Sequence, residues 1–265
     1  MAKNRIKLSP YYIAYLDILG SQEYLKSDKS EEYLNKIKAL YDDVLISIKL
    51  LDIQKYNIKI NTKIFSDNIV IAIKKDVFNT ITEDMKILLL ANVASYFQML
   101  GFKYDFLVRG TITLGDFYLD NDLVCGKGLV DAYKIESEIA VYPRIIVNNL
   151  GINDFIQCNN LKRYLKKDFD GACYLDTFSN YFDIVNGDTH IHEIKVIQQT
   201  MTNKINQASD YKIQMKNFWL ANKFNEFCQN NGFEECLIDI KTFPYDPNYI
   251  RTIVTGGARE LENAK

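Results

Sequence analysis

The spacing of hydrophobic residues predicts regular secondary structure through the first half of the chain. Residues 11–19 form an almost unbroken apolar run, which predicts a buried strand that ends at Gly20. Residues 30–51 place apolar side chains three and four positions apart, the pattern of an amphipathic helix. Residues 58–74 alternate and then become continuously apolar, which predicts a β-hairpin with its tip at residues 66–68.

The next segments continue this alternation of helices and strands. Helical periodicity returns over residues 82–100, and Gly101 is expected to end this helix in the left-handed conformation. A strand over 104–119, a helix over 129–140 and a short strand over 143–148 follow. The order strand, helix, hairpin, helix, strand, helix, strand is typical of an α+β sandwich, in which helices pack on a largely antiparallel sheet.

The pattern changes about halfway along, and we divide the chain into a domain over residues 8–150 and a helix-rich C-terminal extension over 151–265. The Asn-Gly dipeptide at 186–187 lies between two strand-like runs, which predicts a second hairpin. Residues 196–230 have the pattern of one or two long polar helices. Because no Pro-rich or Gly-rich linker separates the two parts, the extension should pack on the first domain.

Composition and charge exclude several classes of protein. With 48% hydrophobic and 25% charged residues, the chain can bury a full core. A net charge of −2 argues against binding to nucleic acid, which needs a basic surface. No apolar run approaches the roughly 20 residues of a membrane span, and the basic N-terminus lacks the apolar core of a signal peptide. We therefore expect a cytoplasmic protein without nucleic-acid or membrane partners, whose scattered cysteines are reduced.

Two aspartates lie where an isolated charge is costly. Asp17 is near the end of the first apolar run, and Asp67 is at the tip of the predicted hairpin. If the hairpin pairs beside the first strand, the two carboxylates face each other and require a cation. Oxygen ligands favour Mg²⁺ or Mn²⁺, and two such ions suit chemistry at a nucleotide phosphate. The simpler alternatives are an acid that caps the turn at Gly20 and a turn-forming residue in the hairpin.

Five motifs follow one another in an order that resembles a known family. They are D-I-L-G in the first strand, F-S-D-N in the hairpin, V-R-G-T-I-T-L-G in a later strand, G-K-G-L-V-D-A-Y-K-I-E-S-E in the next helix and P-R-I in the strand after it. Over residues 11 to about 150 they resemble the class III nucleotidyl cyclase homology domain. They are most similar to the small pyrimidine cyclases of bacterial Pycsar antiphage systems. The resemblance implies a class III cyclase-like sandwich for the first domain.

The resemblance also implies roles for individual residues. Asp17 and Asp67 would hold two divalent cations, Mn²⁺ or Mg²⁺, with the carbonyl of Ile18 as a further ligand. The backbone around Ser21 would cradle the β- and γ-phosphates, as expected for free N–H groups at a glycine turn before a helix. Arg109 would bind the triphosphate through its guanidinium group, the alternative being a structural salt bridge.

Other positions depart from the family pattern. Lys63 lies where purine cyclases read the base, although it could equally be a solvated strand residue. The helix that carries an Asn and an Arg in purine cyclases has Val130 and Lys134 here. Val130 cannot hydrogen-bond a ribose, and Lys134 supplies a point charge instead of a planar fork. Arg144 could supply the missing charge or could be structural. These departures argue against adenylate or guanylate cyclase activity and suit the Pycsar-like group.

The favoured function is a uridylate cyclase that converts UTP to 3′,5′-cyclic UMP and pyrophosphate. The resemblance implies a homodimer with sites at the subunit interface, and a product that acts as a second messenger on a separate effector in antiphage defence. A donor on Lys63 would meet O4 of uracil, which favours UTP over CTP. A cytidylate cyclase, a non-catalytic nucleotide-binding regulatory module and a palm-type nucleotidyltransferase are the alternatives.

Overall fold

The fold is given by a computed structural model, which describes residues 6–50, 58–76, 81–120, 122–148, 159–185, 190–208 and 210–240. The strands are β1 (Ser9–Ile18), β2 (Ile60–Phe65), β3 (Asn68–Lys74), β4 (Val108–Leu119), β5 (Val124–Cys125), β6 (Ile145–Val147), β7 (Leu165–Lys167) and β8 (Cys173–Leu175). The α-helices are α1 (Ser21–Leu25), α2 (Ser30–Leu50), α3 (Glu83–Lys103), α4 (Lys127–Glu138), α5 (Asn159–Lys162), α6 (Thr177–Ile184), α7 (His190–Gln207) and α8 (Tyr211–Asn230). A short 3-10 helix spans Glu234–Cys236.

The strands form one sheet in the order β2-β3-β1-β4-β6-β8-β7, with β5 paired to the end of β4. Every pairing is antiparallel except that of β4 with β6. The first four strands, with α2 before β2 and α3 before β4, follow the βαββαβ order of ferredoxin-like folds. The predicted α+β class, with helices on a largely antiparallel sheet, is confirmed, and so is each element predicted up to residue 148.

β1 lies at the centre of the sheet and is buried on both faces. Tyr12 and Leu16 belong to the core formed with α2 and α3, whereas Ile13 and Tyr15 belong to the opposite face, which α4 covers. A strand that is buried on both faces has a continuously apolar sequence, without the alternation of apolar and polar residues seen in a half-buried strand. Each large apolar side chain buried in this way contributes about 1.5–3 kcal/mol, so β1 anchors the fold.

α3 packs across one face of the sheet as the central core helix. Thr82 caps its start by accepting a backbone hydrogen bond. The helix runs past Gly101, so the prediction that this glycine ends it in the left-handed conformation is wrong. A Cβ on Gly101 would lie 3.1 Å from the side chain of Val108, which explains a small residue there. The left-handed residue after the helix is Asp105, with φ 64°.

α3 also corrects the expectation that no segment has the properties of a membrane span. By length and composition it is the one helix in the described part of the chain that could cross a membrane, with a mean hydropathy of 1.3 over its most apolar window. However, 67% of that window is buried inside the structure. Contacts with β1, β3, β4 and α2 account for the hydrophobicity of this helix.

The C-terminal extension continues the sheet. β7 and β8 form an antiparallel hairpin, and β8 pairs with β6 of the first domain. The second predicted hairpin is wrong in its strands, because residues 177–184 and 190–207 form α6 and α7; the dipeptide at 186–187 lies outside the described residues. Both helices bury one face against α3 and α8, and this packing outweighs the local strand-like pattern.

A buried ion cluster joins the extension to the sheet. Arg144 is fully buried and forms salt bridges with Asp168 and Asp170, which follow β7. Its guanidinium carbon lies 5.3 Å from the ring centre of Tyr142 and 5.9 Å from that of Trp219. The indole Nε1 of Trp219 donates to Oδ2 of Asp168 at 2.8 Å. These contacts hold α8 against the sheet.

α4 is seated on β4 through a contact between two backbones. A Cβ on Gly115 would lie 2.6 Å from the Cα of Gly128, and a Cβ on Gly128 would lie 2.7 Å from Cδ1 of Ile13. Because any larger residue would push the helix away, glycine is needed on both sides of the contact. This close approach sets where α4 places its side chains relative to the end of β1.

Candidate active site

Strand pairing brings four predicted site residues together where β1 ends, namely Asp17, Ile18, Asp67 and Arg109. Asp17 pairs with Asn68 of β3 on one side and with Arg109 of β4 on the other. The hairpin tip lies directly beside them, since the Ile18 N–H donates to the carbonyl of Asp67 at 3.3 Å. Because β1 lies between the hairpin and β4, residues far apart in the sequence become neighbours at this edge of the sheet.

These residues line a largely polar cavity of about 450 Å³. Its walls are the end of β1, the turn into α1, the hairpin tip, the start of β4, α4 and one residue of α8. The lining residues are Tyr15, Asp17, Ile18, Leu19, Gly20, Ser21, Gln22, Glu23, Asp67, Asn68, Arg109, Tyr133, Glu136, Ser137 and Lys216. The volume suits a ligand of nucleotide size. An apolar cavity of about 170 Å³ between α2, α3 and α6 contains no acidic or basic side chain, so the chemistry belongs to the polar cavity.

The turn from β1 into α1 shapes one wall of the cavity. Gly20 has φ 84° and a Cβ there would meet nothing within 4 Å, so glycine is needed for its backbone angle and not for space. Ser21 begins α1, and its hydroxyl donates to Oδ2 of Asp67. In the described part of the chain, the N–H groups of Gly20 and Ser21 have no protein acceptor, whereas that of Leu19 donates to the carbonyl of Leu107 at 2.9 Å. A phosphate cradle here can use the first two N–H groups but not the third.

Arg109 is engaged by two carboxylates of the cavity. Its Nε lies 3.2 Å from Oδ2 of Asp17 and 2.6 Å from Oε1 of Glu136. The contact with Asp17 has hydrogen-bond geometry, whereas the one with Oε1 of Glu136 is an ion contact without it. Nη1 donates to the carbonyl of Ala140 at 3.4 Å. Nη2 has no acceptor among the described residues and stays available to a ligand.

The carboxylates of the cavity repel one another. Burial raises the pKa of Asp17, the nearby guanidinium of Arg109 opposes this increase, and the charge of Asp67 adds to it. Burial also raises the pKa of Glu136 to about 7, again opposed by Arg109 and increased by Asp17. A bound cation relieves repulsion of this kind.

The donor atoms fit a hard divalent cation. Asp17 and Asp67 offer carboxylate oxygens, and Ile18 and Ser21 of the same lining offer a carbonyl and a hydroxyl. Mg²⁺ is usually held by one or two carboxylates together with water and substrate phosphates, and Mn²⁺ also prefers oxygen ligands. Among the residues with described positions, no group of three or more His, Cys, Asp or Glu side chains could hold a metal. Two carboxylates would leave the remaining ligands of such an ion to be supplied by water or by phosphate oxygens.

Several residues of the cavity were not predicted from the sequence. Tyr133 and Glu136 lie three positions apart in the A-Y-K-I-E part of α4, and this spacing places them on one helix face. The spacing therefore could have indicated Glu136. Lys216 has no comparable signal, because it is one of several polar residues on a long helix and reaches the cavity only through the packing of α8.

Other predicted residues lie outside the cavity of the single chain. Lys63 is half-buried on β2 opposite Val70, and Lys134 is exposed on α4. Val130 is also exposed on α4 and does not line the cavity. Arg144 belongs to the buried ion cluster with the β7–β8 turn, so it is a structural arginine and does not supply charge to this cavity.

Comparisons with known proteins give matches among solved structures but none among family models or curated proteins. No protein-family model matches the sequence, and no curated protein matches it. Among solved structures, the crystal structure of the guanylyl cyclase Cya2 matches 54% of this chain and 76% of that chain, with 12% sequence identity and a TM-score of 0.38. A similarity at this level of identity and TM-score does not assign a function to the chain.

Proposed function

We propose that this protein is a nucleotide cyclase that converts UTP to 3′,5′-cyclic UMP and pyrophosphate, with CTP and cyclic CMP as the alternative pair. The observation that carries the proposal is the convergence of Asp17 and Asp67 with Ser21 and Arg109 in one polar cavity. Such a cavity offers oxygen ligands for cations and donors for phosphates. The motifs that resemble class III cyclases support cyclisation over other chemistry at a nucleotide phosphate.

The reaction joins O3′ of the ribose to the α-phosphorus and breaks the bond from that phosphorus to the oxygen bridging to the β-phosphate. Divalent cations held by Asp17, Asp67 and the carbonyl of Ile18 would supply the charge that favours ionisation of the 3′-hydroxyl and neutralises the leaving pyrophosphate. The free N–H groups of Gly20 and Ser21 would bind phosphate oxygens at the start of α1.

Arg109 has both a positioning role and a binding role in this proposal. Its Nε lies between Asp17 and Glu136, which orients the first carboxylate and partly offsets the repulsion between them. Its Nη2 can donate to a phosphate oxygen, for which a guanidinium is well suited. The Ser21 hydroxyl orients Asp67 from the opposite wall. Because the site is partly buried, each of these charges acts more strongly than it would in water.

An exposed apolar surface beside the cavity supports a homodimer. Phe65 and Tyr133 lie on either side of Tyr15, with ring centres 6.3 and 6.1 Å from it. Their exposed fractions are 42% and 55%, and Val130 on α4 is 51% exposed. Large apolar side chains that are exposed on the same part of a surface favour a protein–protein contact. We infer that a second copy of the chain covers it.

The homodimer gives a role to the two predicted lysines that lie outside the cavity. Lys63 on the edge strand and Lys134 on α4 would contribute to the nucleotide site across the subunit interface. A donor on Lys63 that reaches the base would meet O4 of uracil and would oppose the amino group of cytosine. From the sequence resemblance alone, we further propose that the product is a cytoplasmic second messenger that activates a separate effector in antiphage defence.

A product assay with ATP, GTP, CTP or UTP and Mn²⁺, resolved by mass spectrometry, tests the proposal. We expect a single cyclic pyrimidine monophosphate from the wild-type protein. Asp17→Asn and Asp67→Asn, which preserve side-chain size and remove the charge, should form none. Asp28→Asn changes an exposed acid that does not line the cavity and should keep full activity.

Other products would point to other functions. A cyclic purine product would overturn the substrate assignment, and a linear or dinucleotide product would indicate a nucleotidyltransferase. Nucleotide binding without any product would indicate a regulatory module. The exposure of Val130 and Lys134 outside the single-chain cavity is the observation that favours this last candidate.

A further inference from the structure

Lys216 connects the C-terminal extension to the polar cavity. Among the described residues after position 150, it alone lines the cavity that contains Asp17, Asp67 and Arg109. It lies on α8, beyond the part of the chain that carries the cyclase-like motifs. The extension therefore contributes a cationic side chain to a site that is otherwise built by the first domain.

The ammonium group of Lys216 is not engaged by any residue whose position the structure describes. Arg109 has Asp17 and Glu136 within 3.2 Å. In contrast, the Nζ of Lys216 has no hydrogen-bond partner, and no carboxylate within 4.0 Å, among the described residues. Burial, followed by the charge of Arg109, lowers the pKa of Lys216, while the charges of Asp210 and then Asp17 oppose this effect. The lysine thus lies within the electrostatic field of the site without a partner in it.

The packing of α8 holds Lys216 in place. Asp210 caps the helix by accepting hydrogen bonds from the first backbone N–H groups, at 2.8 and 3.1 Å. Asn217 is buried and donates to the carbonyl of Lys204 at 2.9 Å. Trp219 lies one turn further on and belongs to the buried ion cluster. A fixed helix reduces the conformational freedom that the lysine would lose when it binds a ligand.

We propose that Lys216 binds the triphosphate of the nucleotide from within the same chain. The inference rests on the proposed function in that it places a polyphosphate in the polar cavity. An ammonium group on a flexible stem with three donors can follow the phosphates as they separate, and its hydrogen bonds to them are charge-assisted. Lys134 does not line the cavity of the single chain, and Lys216 would supply a positive charge there instead.

Isothermal titration with inorganic tripolyphosphate and Mn²⁺ tests this inference without the base or the reaction. Lys216→Met should weaken binding by about ten- to a hundredfold, the value of one charge-assisted hydrogen bond. Lys216→Arg should retain most of the affinity. Lys212→Met is the matched control, because Lys212 lies one turn earlier on α8, is exposed and does not line the cavity. It should bind as the wild type does.

The outcomes separate this inference from the proposed function. Equal affinity of wild type and Lys216→Met would overturn the inference, and the cyclase proposal would survive if the wild type still forms cyclic product. Weaker binding by Lys216→Met would support the inference even if no cyclic product forms, in which case only the cyclase proposal fails. A folded wild type that binds no tripolyphosphate overturns the inference, and the product assay then decides the cyclase proposal separately. Thermal unfolding is measured for every variant, and Lys216→Gln is a second substitution in case Lys216→Met is poorly folded.

Discussion

The backbone contact between Gly115 and Gly128 offers a direct test of how the fold positions the site. We expect Gly115→Ala to displace α4 from β4, because the new Cβ would lie 2.6 Å from the Cα of Gly128. Carbon atoms in contact are about 3.5–4.0 Å apart, so the helix must move by about 1 Å. No flexible side chain lies between the two backbones to absorb this movement. The helix carries Glu136, whose Oε1 is 2.6 Å from Nε of Arg109, so the site moves with it.

The magnitude follows from two opposing effects. Overpacking of a close contact costs about 1–3 kcal/mol, and the loss of glycine freedom in the unfolded chain returns about 0.4–1 kcal/mol. The free energy of unfolding should therefore fall by about 1–2 kcal/mol, which lowers Tm by about 2–8 °C in a chain of this size. A misplacement of about 1 Å can lower turnover about a hundredfold, so activity should suffer more than stability.

Thermal unfolding and the cyclase assay together test this reasoning. Gly232→Ala is the control, because Gly232 has φ 76° and open space around it, and it does not line the cavity. This substitution should cost about 1–2 kcal/mol through backbone strain and leave turnover unchanged. If Gly115→Ala kept wild-type Tm and turnover, α4 would not be seated through this contact. A loss of stability with full activity would show that the position of α4 is not critical for the site.

Three further predictions test the charges of the molecule. Mn²⁺ at a hundred times its Kd should stabilise the wild type by about 2.7 kcal/mol. Calorimetry should show this as a rise in Tm of about 5–11 °C, and an equal rise in Asp67→Asn would refute metal binding by this aspartate. The pKa of Glu136 is raised from 4.5 to about 7 in the folded protein, so its contribution to stability is complete below pH 4.5 and is lost as the pH rises to 7. In chelator-treated protein, the free energy of unfolding of Glu136→Gln should therefore rise by up to about 3 kcal/mol relative to that of the wild type between pH 4.5 and pH 7. If urea titrations showed a difference that does not change with pH, this prediction would be contradicted. Arg144→Met leaves Asp168 buried without its cation, so the free energy of unfolding should fall by about 3–5 kcal/mol. Urea unfolding followed by the fluorescence of Trp219, the single tryptophan, measures this loss. A loss below about 1 kcal/mol would show that the cluster is not stabilising.

The elements of the first domain could be predicted because each has its own local pattern. The apolar run of β1 and the helical spacing of α2 and α3 reflect the regular positions at which these elements place side chains in the core. The acid at the hairpin tip was visible because a charge interrupts an apolar sequence. The extension was less predictable, since α6 and the start of α7 have strand-like local sequences, and their helical form depends on burial against α3 and α8.

The sequence by itself determined that Asp17 ends a buried strand and that Asp67 lies at the tip of a hairpin. Only the tertiary structure decided that these ends meet, because strand order and register depend on pairings between segments far apart in the chain. It also decided that Glu136 contacts Arg109 and that Lys216 reaches the same cavity. Local sequence patterns indicate the periodicity of an element and reveal a charge that would be costly in its apolar surroundings. They do not specify where one helix packs relative to another, and this packing brings the last residues into the site.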